Sequence, residues 1–172
     1  MDDEILDLVD RSDKVIGTIN RKDYTTLLKD NLGYIRAADL FILNSEGKIY
    51  VPTRTADKTI APNGYDFSVG GHVASGEDYL STIIREANEE LNLIIEPRQL
   101  MLIDKTMQEE IRYIRYLYLY RSDETPVYNP SDFVTAEWMT PAEVTQKIDN
   151  GHLAKSSLKP SISILTKYLQ NT

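Results

Sequence analysis

The chain of 172 residues contains no cysteine, two histidines, three phenylalanines and one tryptophan. Without cysteine there is no disulfide framework, no thiolate metal ligand and no thiol nucleophile. Two histidines do not make the histidine cluster of a typical transition-metal site. Positive charge is scarce as well: 19 basic against 27 acidic side chains give a net charge of −8, which argues against non-specific binding to nucleic acid or to an anionic membrane. An anionic small substrate would need a local basic patch or a metal. No run approaches membrane-spanning length, and the opening "MDDEILDLVD" is acidic with too short an apolar run for a signal peptide, so a cytoplasmic location is expected. No low-complexity tract, repeat or Pro/Gly/Ser-rich linker interrupts the chain. With 41% hydrophobic residues, positions 1–172 are expected to form a single domain.

Periodicity supplies the elements. "ILDLVDRSDKVIGTI" reads as two short strands around a polar turn, and after a short polar helix or loop "IRAADLFILNSEGKIYVPTR" reads as a second hairpin turning at "NSEG", where Gly47 is free to take a positive φ. From Asp78 to Leu91 the apolar residues Leu80, Ile83, Ile84, Ala87 and Leu91 recur at helical spacing. "LMLID" and "IRYIRYLYLYR" look like strands. Thr140, Pro141 and Glu143 then announce a helix with a capping box, ended near Gly151, and a last helix is expected to begin near Pro160 and pack through Ile162, Ile164, Leu165 and Leu169. The sum is an α/β fold, a mixed β-sheet with helices against it.

Within the first long helix Glu86, Glu89 and Glu90 crowd together, although like charges three or four residues apart repel by a few tenths of a kcal/mol per pair. Glu86 and Glu90 lie one above the other near the edge of the apolar stripe, with Glu89 farther round. Either the face is merely solvated, or it holds a hard divalent cation, for which close carboxylates are suitable ligands.

The residues around the helix bear on this choice through a resemblance. Gly71, five residues, Glu77, seven residues, Arg85-Glu86, then Glu89-Glu90 and Leu93 resembles the signature of the Nudix hydrolases; six such identities in register arise by chance on the order of once in 10⁵ trials. Asn92 stands where that signature ends in glycine, and Asn is the next most tolerant residue of a left-handed cap. The resemblance implies a Nudix-type α/β/α sandwich, with the first hairpin as an N-terminal extension. It implies an enzyme that holds Mg²⁺ or Mn²⁺ beside a small-molecule diphosphate while water attacks phosphorus. Carried onto matching positions, it implies that Glu86, Glu89 and Glu90 bind metal, with a carbonyl at Gly70 or Gly71. Arg85 would orient a carboxylate, and Glu77 would support the loop or reach metal through water. Glu90 is the first choice for general base within a catalytic set of Glu90, Glu89, Arg85 and Glu77; Glu110 and Glu137 are candidates outside the box.

"IRAADLFILNSEGKIYVPTRTADKTIAPNGYDFSVGGHV", with "DLVDRSDKVIGTINR" before it and "EWMTPAEV" after it, resembles the isopentenyl diphosphate isomerase-like branch. That resemblance implies that Arg54 and Lys58 grip the diphosphate, as a guanidinium and an ammonium are suited to do. Isomerase chemistry is disfavoured, because Gly70 stands where the isomerases have a catalytic cysteine. Of their three metal-binding histidines only His72 has a match, and His152 does not. The expected activity is hydrolysis of a diphosphate linkage in a nucleoside di- or triphosphate or a nucleoside diphosphate derivative, with an isomerase or a non-catalytic sensor as alternatives. Tyr113, Tyr116 and Tyr118 could stack on a base or fill the core. Oligomeric state is not readable from this pattern.

Overall fold

The computed structural model describes residues 4–171. Strands β1 (Ile5–Val9) and β2 (Val15–Asn20) form an antiparallel hairpin. Its turn is closed by Asp10, whose carboxylate accepts the N–H groups of Ser12 (2.8 Å) and Lys14 (3.1 Å). A 3₁₀ turn leads into the short helix α1 (Tyr24–Asp30). The hairpin is a separate two-stranded sheet, joined to the main body by bridges from Leu6 to Ala74 and from Val9 to Tyr34.

The main sheet contains β3 (Ile35–Leu43), β4 (Ile49–Arg54), β5 (Val69–His72), β6 (Leu100–Gln108), β7 (Tyr113–Arg121) and β8 (Phe133–Met139). Its order is β6-β7-β3-β4-β8, with β5 also paired to β3; the β3–β7 pair is parallel and the others are antiparallel. Gly47 makes the expected turn at φ +75°, but the second hairpin is paired only at Leu43–Ile49. Beyond that point β3 and β4 separate around the buried Ser68. Its hydroxyl donates to the Tyr50 carbonyl (2.6 Å) and accepts the Ile42 N–H (2.9 Å), so the opened edges keep partners. Into the gap comes β5, antiparallel to Ala37–Leu40 of β3, which brings Gly70, Gly71 and His72 to the centre of the sheet.

Alternation along the strands builds two cores. Ala38, Leu40 and Ile42 of β3, with Ile114 and Tyr118 of β7, pack against Ile83, Ala87 and Leu91 of helix α2 (Tyr79–Leu91). Phe41, Leu43, Leu117 and Leu119 point the other way, onto Val144 of α3 (Pro141–Asp149) and Leu158, Ile162 and Leu165 of α4 (Leu158–Gln170). The result is an α/β/α sandwich with a mixed sheet. Thr140 and Glu143 form the capping box of α3, and Gly151 follows it at φ +95°. Helix α4 begins at Leu158, ahead of Pro160; the proline lies in the first turn, where a missing N–H breaks no intrahelical bond. No helix among the described residues is long and apolar enough to cross a membrane.

Candidate active site

Helix α2 starts at Asp78, whose carboxylate caps the Ser81 N–H at 2.7 Å. It ends at Asn92, which takes the left-handed conformation at φ +51°. The N–H of Leu93 reaches back to the Ala87 carbonyl (3.1 Å), so asparagine makes the terminus that a glycine would make. Between these ends Ala87 is buried against the sheet, and Glu86 and Glu90 occupy the adjoining edge of the helix, beside β5. The main chain at Gly70 is close enough for its N–H to donate to Glu90 Oε2 at 3.3 Å. Gly71 lies still closer to the helix: a Cβ there would stand 2.2 Å from Glu86 Oε1. The paired glycines are thus what let a strand backbone lie against two carboxylates.

Arg85 cross-links the acidic cluster. Its Nε and Nη2 donate to the two oxygens of Glu77, both at 3.0 Å, and its Nη1 reaches Glu86 (2.9 Å) and Glu89 (3.0 Å). Glu77 also accepts the Thr82 hydroxyl (2.9 Å). The loop before α2 is therefore fastened to the helix through one guanidinium, which holds Glu77 below the ordinary carboxylate range. Glu86 is raised by burial against the pull of Arg85. Glu90 is raised well above the ordinary range, first by burial and then by the negative charges of Asp66 and Glu86, with Lys155 acting in the opposite direction.

Around this cluster lie charged residues that motif reading missed. Asp39 on β3 is buried, pairs with Arg115 on β7 (3.0 Å), and sits beneath Gly70. Asp66 is 2% exposed and takes two cations: Arg54 on one oxygen and Lys155 on the other, the latter at 2.9 Å. For Asp39 and Arg115 the only trace in the sequence is a charged residue inside an apolar strand, as in "IRAADLFIL" and "IRYIRYLYLYR", and the loop residues Asp66 and Lys155 leave none. The pairing of Asp39 with Arg115 across 76 positions leaves no local spacing to read. Arg54 also donates from Nε to the Ile60 carbonyl (2.8 Å), and Lys58 pairs with Asp132 (2.6 Å).

The remaining candidates fall elsewhere. Glu110 is exposed in the turn between β6 and β7, and Glu137 is exposed on β8 with Lys147 at 3.9 Å. His72 Nε2 meets the Tyr113 hydroxyl at 2.8 Å; burial, then the charges of Arg21, Lys155 and Arg115, lower its pKa to about 3. His152 stacks on Tyr65. One face of Tyr116 is covered by Tyr79 of α2 at 3.6 Å, and Lys105 lies over its ring. Tyr118 is core, so neither ring is a ready platform for a base.

Among the described residues no three acidic or imidazole groups already converge as ligands, because Arg85 occupies Glu86 and Glu89. The donor set nevertheless fits a hard cation. Two carboxylates one helical turn apart, both resisting ionisation in its absence, face a strand backbone that no side chain separates from them.

A glycine loop, a helix bearing paired glutamates and a mixed sheet between helical layers define the class. The NUDIX domain model matches residues 33–160, and the chain belongs to the Nudix family, enzymes that act on pyrophosphate bonds and generally use divalent metals. It is 38% identical over 159 residues to a Nudix hydrolase of Deinococcus radiodurans, covering 91% of this chain and 90% of that one. A crystal structure of DR0079 from Deinococcus radiodurans superposes with a TM-score of 0.81 at 35% identity, over 93% of this chain and 98% of that one. Isopentenyl-diphosphate Delta-isomerase 1 of Photorhabdus laumondii is 27% identical over 149 residues, 83% of each chain.

Proposed function

We propose that the protein, as a single Nudix domain over residues 1–172, hydrolyses a diphosphate linkage with Mg²⁺ or Mn²⁺. The substrate class is a nucleoside di- or triphosphate or a nucleoside diphosphate derivative. The observation that carries this reading is the contact of the Gly70–Gly71 backbone with Glu86 and Glu90, a cradle that any Cβ at Gly71 would fill. Glu86, Glu89 and Glu90, with the Gly70 carbonyl, are the residues that would hold the cation. When bound, it neutralises the diphosphate and eases ionisation of water.

The chain's own residues do the rest. Arg85, braced by Glu77, sets the directions of Glu86 and Glu89. Glu90 accepts the proton of the attacking water as its oxygen bonds to phosphorus and the bridging P–O bond breaks. Arg54 and Lys58 hold the phosphate oxygens, after exchanging carboxylate partners for substrate. Isomerisation is disfavoured by the absence of any thiol at Gly70. A cytoplasmic setting belongs to the same proposal.

The test is a panel of nucleotides and their diphosphate derivatives with Mg²⁺ or Mn²⁺ at neutral and alkaline pH, scored for released phosphate or nucleoside monophosphate. Turnover of at least one compound is expected, and none above blank would favour a non-catalytic sensor. Isopentenyl diphosphate should pass through unchanged; its conversion to the dimethylallyl isomer would contradict the hydrolase reading.

A further inference from the structure

We propose that the cavity between strands β6, β7 and β3 and the first turns of α4 receives a hydrogen-bond-donating edge of the substrate's organic half, with Gln108 as a specificity-determining residue; this rests on the hydrolase reading above.

A sheet face covered by a helix is ordinarily apolar. The face of the main sheet under α4 is apolar at one end, where Phe41, Leu43, Leu117 and Leu119 pack. Toward the other end the same alternation presents Asp39 on β3, Arg115 on β7, and Asp104, Thr106 and Gln108 on β6. Polar groups on β6 alone would be explained by its place at the edge of the sheet, where inward-pointing charges discourage pairing with another chain. Asp39 and Arg115 lie on interior strands, so edge protection does not account for them.

These five side chains, with Ser161 of α4, line a cavity of about 40 Å³, room for a few water molecules or for one polar group of a ligand. Two of its acidic groups are partnered: Asp39 pairs with Arg115, and Asp104 accepts the Thr106 hydroxyl. Gln108 Oε1 is buried and has no hydrogen-bond partner among the described residues. A buried acceptor left unpaired costs free energy, and a donor carried by a ligand is its complement.

The cavity adjoins the candidate active site. Gly70, Asp39, Leu117 and Asp104 stand in register across four neighbouring strands, which at about 4.8 Å per strand puts Asp104 roughly 14 Å from Gly70. Asp39 belongs to both places: it lines the cavity, and its Oδ1 stands 2.6 Å from where a Gly70 Cβ would be. A diphosphate held at Gly70 can therefore lay its organic half along this row, a span that suits a nucleoside. An amino or ring N–H of the base then donates to Gln108 Oε1, beside the Asp104 carboxylate. A hydrocarbon chain would leave both acceptors unpaired and fits poorly.

The probes are methylenediphosphonate, which has no organic half, and the α,β-methylene analogues of ADP, CDP, GDP and UDP, titrated calorimetrically with Mg²⁺ present. At least one nucleotide analogue should bind the parent about tenfold or more tighter than methylenediphosphonate does. Gln108→Met, which keeps the length of the side chain without the amide, should reduce that advantage about tenfold and leave methylenediphosphonate within about twofold of the parent. Its melting temperature should equal or exceed the parent's, because the unpaired carbonyl is gone. Gln108→Leu replaces it if that variant does not fold. An advantage unchanged in the variant would mean that the cavity holds solvent only, and would overturn the proposal with the hydrolase reading intact. So would a parent that binds methylenediphosphonate and all four analogues equally. Loss of methylenediphosphonate binding along with the advantage would make Gln108 a structural prop and overturn its role in specificity. A parent that binds none of the five probes would overturn the hydrolase reading as well.

Discussion

Gly71 has no room for a side chain because Glu86 fills the space where one would go. Gly71→Ala should therefore displace the Glu86 carboxylate and reduce turnover at least tenfold while the helices stay formed, read from rates alongside circular dichroism. At the other end of α2, Asn92→Ala should cost about 1 kcal/mol, since alanine resists the left-handed conformation that asparagine tolerates. Asn92→Gly should be nearly neutral, because it relieves the backbone but loses the bond from Nδ2 to the Val127 carbonyl (2.9 Å). Urea titrations of both variants check the pair. Arg54→Ala should raise KM more than it weakens Mg²⁺ binding, as the proposed role of the guanidinium on phosphate requires; unchanged kinetics would return Arg54 to its ion pair with Asp66 alone. His72 supplies a pH dependence. Its folded pKa, about 3, lies below the ordinary value of 6.5, so the folded protein prefers the neutral ring. That contribution is complete above pH 6.5 and is lost as pH falls from there toward 3, because the unfolded chain binds the proton first. His72→Gln should flatten this part of the stability profile, and NMR should find no titration of the ring between pH 8 and 5.

At the scale of elements, the N-terminal hairpin acts as a brace for the loop of the site. Asp7 on β1 accepts the Ser75 hydroxyl (2.7 Å), the Ser75 N–H donates to the Ile5 carbonyl (2.8 Å), and Arg36 on β3 bonds Asp13 in the hairpin turn (2.6 Å). Asp7→Ala should speed hydrogen exchange at residues 74–76 ahead of the rest of the chain; unchanged exchange there would mean that the hairpin is only appended. Most elements were legible because each had a local cause: the capping box of α3, the apolar stripe of α2, the turn at Gly47. The splitting of the second hairpin was not. Nothing within residues 35–54 says that β3 will leave β4 after one pair, because the wedge that parts them is Ser68, a residue of the following loop.

Across the whole molecule, a chain with a net charge of −8 buries several ion pairs, most of them around the glycine strand and helix α2 and one, Arg36 with Asp7, at the N-terminal hairpin. Three carboxylates, Asp39, Asp66 and Glu86, are paired with Arg54, Arg85, Arg115 and Lys155 drawn from strands, a helix and a loop, while Glu90 accepts the Gly70 N–H. Glu86 and Glu90 were visible in the sequence because a helix forces their spacing, and Arg85 and Arg54 were named with them through the family resemblance. Asp39, Asp66, Arg115 and Lys155 were not, since they come together only through sheet order and loop docking. The central claim is that Glu86 and Glu90 are cation ligands, and it is tested most directly by thermal melts of the parent, Glu86→Gln and Glu90→Gln with and without Mg²⁺. Without metal each variant should be as stable as the parent or slightly more so, because a carboxylate that resists ionisation in the fold is replaced by a neutral amide. At a hundredfold excess of Mg²⁺ over Kd the parent should gain about 2.7 kcal/mol and the variants much less. An identical response to Mg²⁺ in all three proteins would contradict the account.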